Sequence, residues 1–182
     1  MASSPTAHRL VPIKELNRLP REQLVPALRP LFEAAPTLAD ALFAERPYES
    51  YAQLLDRAAG LIDPMSAEDK VAVINAHPRI GESPDVVRQT SALSYREQGY
   101  EREADLERDE VERVYRELAE LNATYEARFG FRFVVFVNRR PKSAIVEVIR
   151  GRLGRSRAEE MAAALGEMLA IARDRLSYLS AR

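Results

Sequence analysis

Cysteine is absent from the 182 residues, which excludes disulfide staples, thiolate nucleophiles, iron–sulfur clusters and thiolate zinc sites together. Long apolar runs are also lacking. Nothing approaches the ~20 apolar residues that a spanning helix needs, and residues 1–10 hold no run suited to an export signal. The C-terminal Leu179-Ser180-Ala181-Arg182 does not match the peroxisomal tripeptide. These absences, with a reducing compartment, predict a cytoplasmic protein with no membrane partner. No excess of one charge is present either: 27 Lys and Arg stand against 28 Asp and Glu, a formal charge of −1. No global field therefore draws the chain onto nucleic acid or anionic lipid, and any charged ligand needs a local site. Only two histidines occur, His8 and His77, too few for a multi-histidine metal site. There is no Gly-x-Ser-x-Gly turn and no phosphate-cradling glycine loop. Repeats and low-complexity linkers are missing, which favours one domain, 13–182, behind a flexible tail over 1–12.

What remains is helical periodicity broken by Pro, Gly and Asp. Short helices are predicted over 13–17 and 21–34, the second strained by Pro26 and Pro30, because an internal proline removes a hydrogen bond. Pro36 closes it, Thr37 caps the next through Ala44, and a further helix runs to Leu61 with Tyr51, Leu54, Leu55, Ala58 and Leu61 on one face. Ser66 with Asp69 forms a variant capping box for a helix to Asn75. Its end delivers His77-Pro78-Arg79 into a loop containing Gly81, Ser83 and Pro84, followed by a short helix over 94–100. The longest clear pattern covers 103–128, where Leu106, Val111, Val114, Tyr115, Leu118, Leu121 and Tyr125 recur every three or four residues. Residues 131–137 break it with strand-like content and no partner strand, so they read as one buried extended segment between helices. Ser143 opens a helix to Leu153, and Ser156 with Glu159 caps the last, through Leu179. The fold class is all-α, a single compact multi-helix domain.

Three features carry candidate chemistry. Arg175 falls among Met168, Ile171, Ala172 and Leu179, inside the apolar arc of the last helix. An unpaired buried guanidinium costs several kcal/mol, so Arg175 needs a partner carboxylate, a bound anion or a route for its head to reach water. His77 carries the one side chain whose ordinary pKa suits proton transfer at neutral pH, although histidines at helix ends also satisfy terminal carbonyls. Ser94, Glu97 and Gln98 share a helix face; in isolation Ser94 and Glu97 read as a capping box. A basic cluster of Arg139, Arg140, Lys142, Arg150, Arg152, Arg155 and Arg157 lacks interleaved aromatics and reads as solvated surface rather than a polyanion site.

Taken in order, His77-Pro78-Arg79-Ile80-Gly81, Ser94-x-x-Glu97-Gln98, Phe129-Gly130-Phe131-x-Phe133 and the final Arg175-Leu176 resemble the 2-oxo-4-hydroxy-4-carboxy-5-ureidoimidazoline (OHCU) decarboxylase family. The likeness spans roughly residues 16–179 and includes Phe32-Glu33-x-x-Pro36 and Arg46-Pro47. It implies an all-helical, commonly dimeric enzyme without metal or organic cofactor that converts OHCU to (S)-allantoin in urate breakdown. His77 is then the catalytic acid/base, oriented by Glu97, with Pro78 in the pocket wall. Ser94, Glu97 and Gln98 hydrogen-bond the substrate, the backbone of Phe133, Val134, Val135, Phe136 and Val137 meets the heterocycle, and Arg175 binds substrate. Two departures fall in the implied pocket: Arg132 stands where the family usually has proline, and Gly99-Tyr100 replaces a small Ala-Gly pair. Two rival readings are a non-catalytic helical module that binds a partner through the basic cluster, and a decarboxylase or tautomerase of a related ring acid.

Overall fold

The computed structural model describes residues 9–100 and 108–181. Among them are ten helices: α1 (Ile13–Leu16), α2 (Arg21–Phe32), α3 (Pro36–Ala44), α4 (Tyr51–Ile62), α5 (Ala67–Asn75), α6 (Pro84–Thr90), α7 (Ala92–Glu97), α8 (Arg108–Phe129), α9 (Lys142–Arg152) and α10 (Arg157–Ser180). No residue described pairs into a sheet, and no helix of the described residues is long and apolar enough to cross a membrane. The first eight residues, Leu106 and the start of the helix predicted over 103–128 lie outside the described residues.

Helix α10 is the axis of the molecule. Its Ser156 accepts from the Glu159 amide while the Glu159 carboxylate accepts from the Ser156 amide, satisfying orphan donors at both ends of a capping box. From this start it buries Ala164, Leu165, Met168, Ile171, Ala172 and Arg175, and it packs on α2, α4, α5 and α8. The stripes that meet it have helical spacing: Leu24, Leu28, Leu31 and Phe32 in α2, and Leu54, Leu55, Ala58 and Ile62 in α4. Fully burying each of the leucine, isoleucine and phenylalanine side chains stabilises the fold by about 1.5–3 kcal/mol.

Several local expectations are corrected. Helix α2 runs unbroken through Pro26 and Pro30; Glu22 and Pro26, whose carbonyls lose their intrahelical donors, are both exposed, so water can replace the missing bonds. Pro36 opens α3 at its first turn rather than closing α2, where its absent N–H is no loss. The predicted loop around Ser83 and Pro84 is helix α6, with the Ser83 hydroxyl accepting from the Val86 amide. Ser91, not Ser94, caps α7, and α9 begins at Lys142 after Pro141 rather than at Ser143.

The loop from His77 to Glu82 is pinned from three sides. Asn122, buried on α8, donates to the Ile80 carbonyl at 2.9 Å; Arg79 forms a two-pronged pair with Glu126 at 2.6 and 2.7 Å; and the Tyr100 hydroxyl donates to the Glu82 carbonyl at 2.8 Å. Gly81 sits at φ +74°, where a Cβ would stand 2.9 Å from Leu118 Cδ1 and 3.1 Å from Leu118 Cβ. Both the backbone conformation and the contact demand glycine. Gly81→Ala is expected to destabilise the protein by about 2 kcal/mol or more in urea unfolding; a change below a few tenths of that would show that the loop relaxes freely.

Candidate active site

A cavity of about 500 Å³ opens between α7, the extended segment and α10. His77 and Pro78 line it from the loop after α5, Ser94, Glu97 and Gln98 from α7 and its end, residues 133–137 from the extended segment, and Arg175 from α10. Every residue singled out for chemistry in the sequence therefore borders one space, although His77 and Arg175 come from distant parts of the chain. Arg96, Arg139, Asp174, Ser177 and Tyr178 also line it and were not anticipated; the Arg96 guanidinium lies 3.4 Å from the centre of the Tyr178 ring.

Arg175 is 1% exposed and is held by a ring of acceptors. Its Nε and Nη2 donate to the two Glu97 carboxylate oxygens at 2.7 and 2.8 Å, and Nη2 also donates to Ser94 Oγ at 2.9 Å and lies 2.7 Å from Glu33 Oε1. Burial by itself would lower the guanidinium pKa, but Glu33 and Glu97 outweigh it and the net shift is upward. Nη1 alone is buried without a hydrogen-bond partner. Here the open alternatives for Arg175 resolve into partner carboxylates plus one donor left over.

His77 is 3% exposed, and neither of its ring nitrogens has a hydrogen-bond partner. Glu97 does not orient it, contrary to expectation; that carboxylate is taken up by Arg175. Burial, reinforced by the Arg175 cation, pulls the imidazole down to about 4 against smaller upward pulls from Glu33 and the nearby Val73 carbonyl. At neutral pH the ring is therefore uncharged.

The residue that sequence reasoning left out of the site is Glu33. It is 3% exposed, and its Oε1 accepts from Ser91 Oγ at 2.8 Å and Ser94 Oγ at 2.9 Å besides Arg175. Burial pushes its carboxyl pKa up, but the attraction of Arg175 and His77 and the bonds from Ser91 and Arg175 leave it below the ordinary carboxylate range. Glu33 has φ 57° and ψ −153°, a region essentially reserved for glycine that costs of order 1–3 kcal/mol. The Phe32-Glu33 pair within the wider resemblance was the one available signal, and it carried no hint of this contact.

The extended segment solves the problem of a strand without a partner by alternation. The Arg132 amide donates to Asn75 Oδ1 at 2.9 Å, the Val134 carbonyl accepts from Arg152 at 3.1 Å, and Phe136 uses both its groups, donating to Glu167 at 2.9 Å and accepting from Arg140 at 2.6 Å. The backbone groups of Phe133 and Val135, which point the other way, make no hydrogen bond among the described residues.

Gln98 is partly engaged within the protein, with one Nε2 hydrogen left over. Its Oε1 accepts from the Gly81 amide at 3.2 Å and, at 2.9 Å, shares the single Tyr100 hydroxyl proton with the Glu82 carbonyl, and its Nε2 donates to the Arg79 carbonyl at 3.2 Å. Arg132 lies off the cavity lining; its Nη1 donates to the Asn75 and His77 carbonyls at 2.8 and 2.9 Å, tying the end of α5 to the extended segment. That bond set, amide included, is unavailable to proline. Gly99 does line the cavity and has φ +76°. The basic cluster is largely consumed internally: Arg140 by Phe136 and Val137, Arg150 by Glu117 and Glu147, Arg152 and Arg155 by Glu160, and Arg157 by the Phe129 carbonyl. Arg150 and Arg155 still keep about half of their side-chain surface exposed.

A histidine depressed from 6.5 to about 4 on folding is protonated more readily in the unfolded chain between those values. Stability is then full above the unfolded pKa and falls as pH drops from 6.5 toward 4, by up to about 3 kcal/mol. His77→Asn should remove that slope from urea unfolding measured across this window; an unchanged slope would place the imidazole in water.

The profile of the OHCU decarboxylase family matches residues 17–177. A 2-oxo-4-hydroxy-4-carboxy-5-ureidoimidazoline decarboxylase of Haloferax volcanii is 29% identical over 166 residues, covering 91% of this chain and 94% of that protein. The uric acid degradation bifunctional protein of Bacillus subtilis is 32% identical over 163 residues, 90% of this chain and 31% of that protein. A crystal structure of OHCU decarboxylase in the presence of (S)-allantoin has the same fold, with TM-score 0.62, 18% identity and coverage of 89% of this chain and 99% of that one.

Proposed function

Since the chain belongs to the OHCU decarboxylase family, we propose that it converts OHCU to (S)-allantoin and carbon dioxide in urate degradation, with His77 as the proton-transfer group. The observation that carries this reading is one pair of unsatisfied buried groups. The two ring nitrogens of His77 and Nη1 of Arg175 are all buried without partners, and both residues line the same cavity. Unpaired buried polar atoms cost about 1–3 kcal/mol each, and a polar substrate seated there relieves the cost.

The substrate suits such a site. The bond to its carboxylate breaks and carbon dioxide leaves; the electron pair moves into the adjacent C=N, whose nitrogen takes up a proton. The hydroxyl gives up its own proton to become the ring carbonyl, and the former C=N carbon, which carries the ureido arm, is protonated on one face. Neutral His77 accepts the proton of the neighbouring hydroxyl, while Arg175, oriented by Glu97, donates Nη1 to the substrate. Residues 133–137 contribute one wall, where the unpaired backbone groups of Phe133 and Val135 offer donors and acceptors to the ring, and Pro78 lines the cavity beside His77. Ser94 faces the ureido arm. Gln98 braces the loop with its amide oxygen and one Nε2 hydrogen, and the second Nε2 hydrogen is offered to the substrate. Catalysis belongs to the domain over 13–182, working in the cytoplasm as a homodimer without cofactor.

His77→Ala is expected to lower turnover by about 10²- to 10⁴-fold, the usual contribution of positioned proton transfer, with an unchanged far-ultraviolet dichroism spectrum. The assay generates the unstable substrate in situ from urate and follows the appearance of optically active allantoin; undiminished rates in the variant would reject the role of His77. Arg175→Lys retains the charge but loses the planar fork, so kcat/KM should drop at least about tenfold. Wild-type kinetics from this variant would mean that the guanidinium does not touch substrate.

A further inference from the structure

Glu33 does not line the cavity, yet hydrogen bonds from its floor converge on it. A carboxylate can only accept, so the Ser94 hydroxyl must donate to Glu33 Oε1 at 2.9 Å, and Arg175 Nη2 in turn donates to Ser94 Oγ at 2.9 Å. The hydroxyl has then used its single proton and one lone pair. It turns toward the cavity, which Ser94 lines, with a lone pair and no donor. Arg175 has Nε and Nη2 committed to Glu97, Ser94 and Glu33, which leaves Nη1 as the one donor beside it.

A donor next to an acceptor is the complement of an amide edge, where C=O and N–H stand side by side. A carboxylate offers acceptors alone and would set one of them against the Ser94 lone pair. We infer that Glu33 is a positioning residue that fixes the proton polarity of the cavity floor, so that Arg175 Nη1 and Ser94 Oγ together read the C=O and N–H of a ureido group. The inference rests on the ureidoimidazoline reading above. The backbone of Glu33 supports it: a glutamate held at φ 57°, ψ −153° occupies a conformation in which glycine alone is at ease, so the side chain is there for its contacts.

The test compares binding of two probes by calorimetry: allantoin, which carries a ring and a ureido arm, and hydantoin, the ring alone. Glu33→Ala removes the acceptor to which the serine proton is committed, freeing that proton to turn into the cavity. Its expected effect is a rise in the Kd for allantoin of about tenfold or more, with hydantoin changed by less than about twofold. In a Ser94→Ala background the same substitution should no longer separate the two probes. Glu33→Gly, which also relieves the backbone, is the second variant and should reproduce the selective loss if Glu33→Ala fails to fold. Equal weakening of both probes, a selective loss that persists without Ser94, or a fall in Tm with both Kd values intact would each assign Glu33 a purely structural role and overturn the inference. So would wild-type protein that holds allantoin no tighter than hydantoin. Absence of decarboxylation by the wild type, with the selective loss observed, would sink the proposed activity and leave the polarity argument standing.

Discussion

The structure depends on one buried cation. Taking a guanidinium out of water is costly, and only partners with good geometry repay the loss. Arg175 finds them on two other elements: Glu33 at the end of α2, and Glu97 with Ser94 on α7. The ion pair therefore fixes where three helices meet, and the same meeting point is the floor of the cavity. Fold and site cannot be separated here: removing either carboxylate changes the charge balance of the core as well as the surface offered to a ligand.

The second constraint is an extended segment in a protein without a sheet. Backbone amides and carbonyls must be satisfied even where no neighbouring strand exists. Side chains take that place along one edge, from Asn75, Arg152, Glu167 and Arg140, and Arg152 is itself anchored by the fully buried Glu160, which also accepts from Tyr125 at 2.6 Å. The other edge, with the backbone groups of Phe133 and Val135, stays unpaired among the described residues. A helix in the same place would have consumed those groups in its own hydrogen bonds.

Much of this was legible in the sequence because it follows from periodicity. The long helices α4, α8 and α10 announce themselves through apolar spacing and caps, and Arg175 stood out because its angular position contradicted its polarity. Short elements were harder. The Ser83-Pro84 signal marks both a turn and a helix start, and seven residues carry too little periodicity to decide between them. Ser94 fitted a capping box by spacing, but Ser91 three residues earlier fitted the cap in space. Glu33 was hidden for a deeper reason: its role is created by a left-handed backbone and by partners distant in sequence, and neither leaves a local trace. Arg132, flagged as a departure near the pocket, instead braces the backbone behind it.

The span between Glu33 and Arg175 also orders events in time. A chain growing from its N-terminus exposes Glu33 early, in α2, and α10 emerges last. Until that final helix docks, the floor lacks its cation and residues 133–137 lack the Glu167 acceptor. The cavity's wall and its charged floor are thus completed together when α10 docks, however much of the remaining helical scaffold has already condensed.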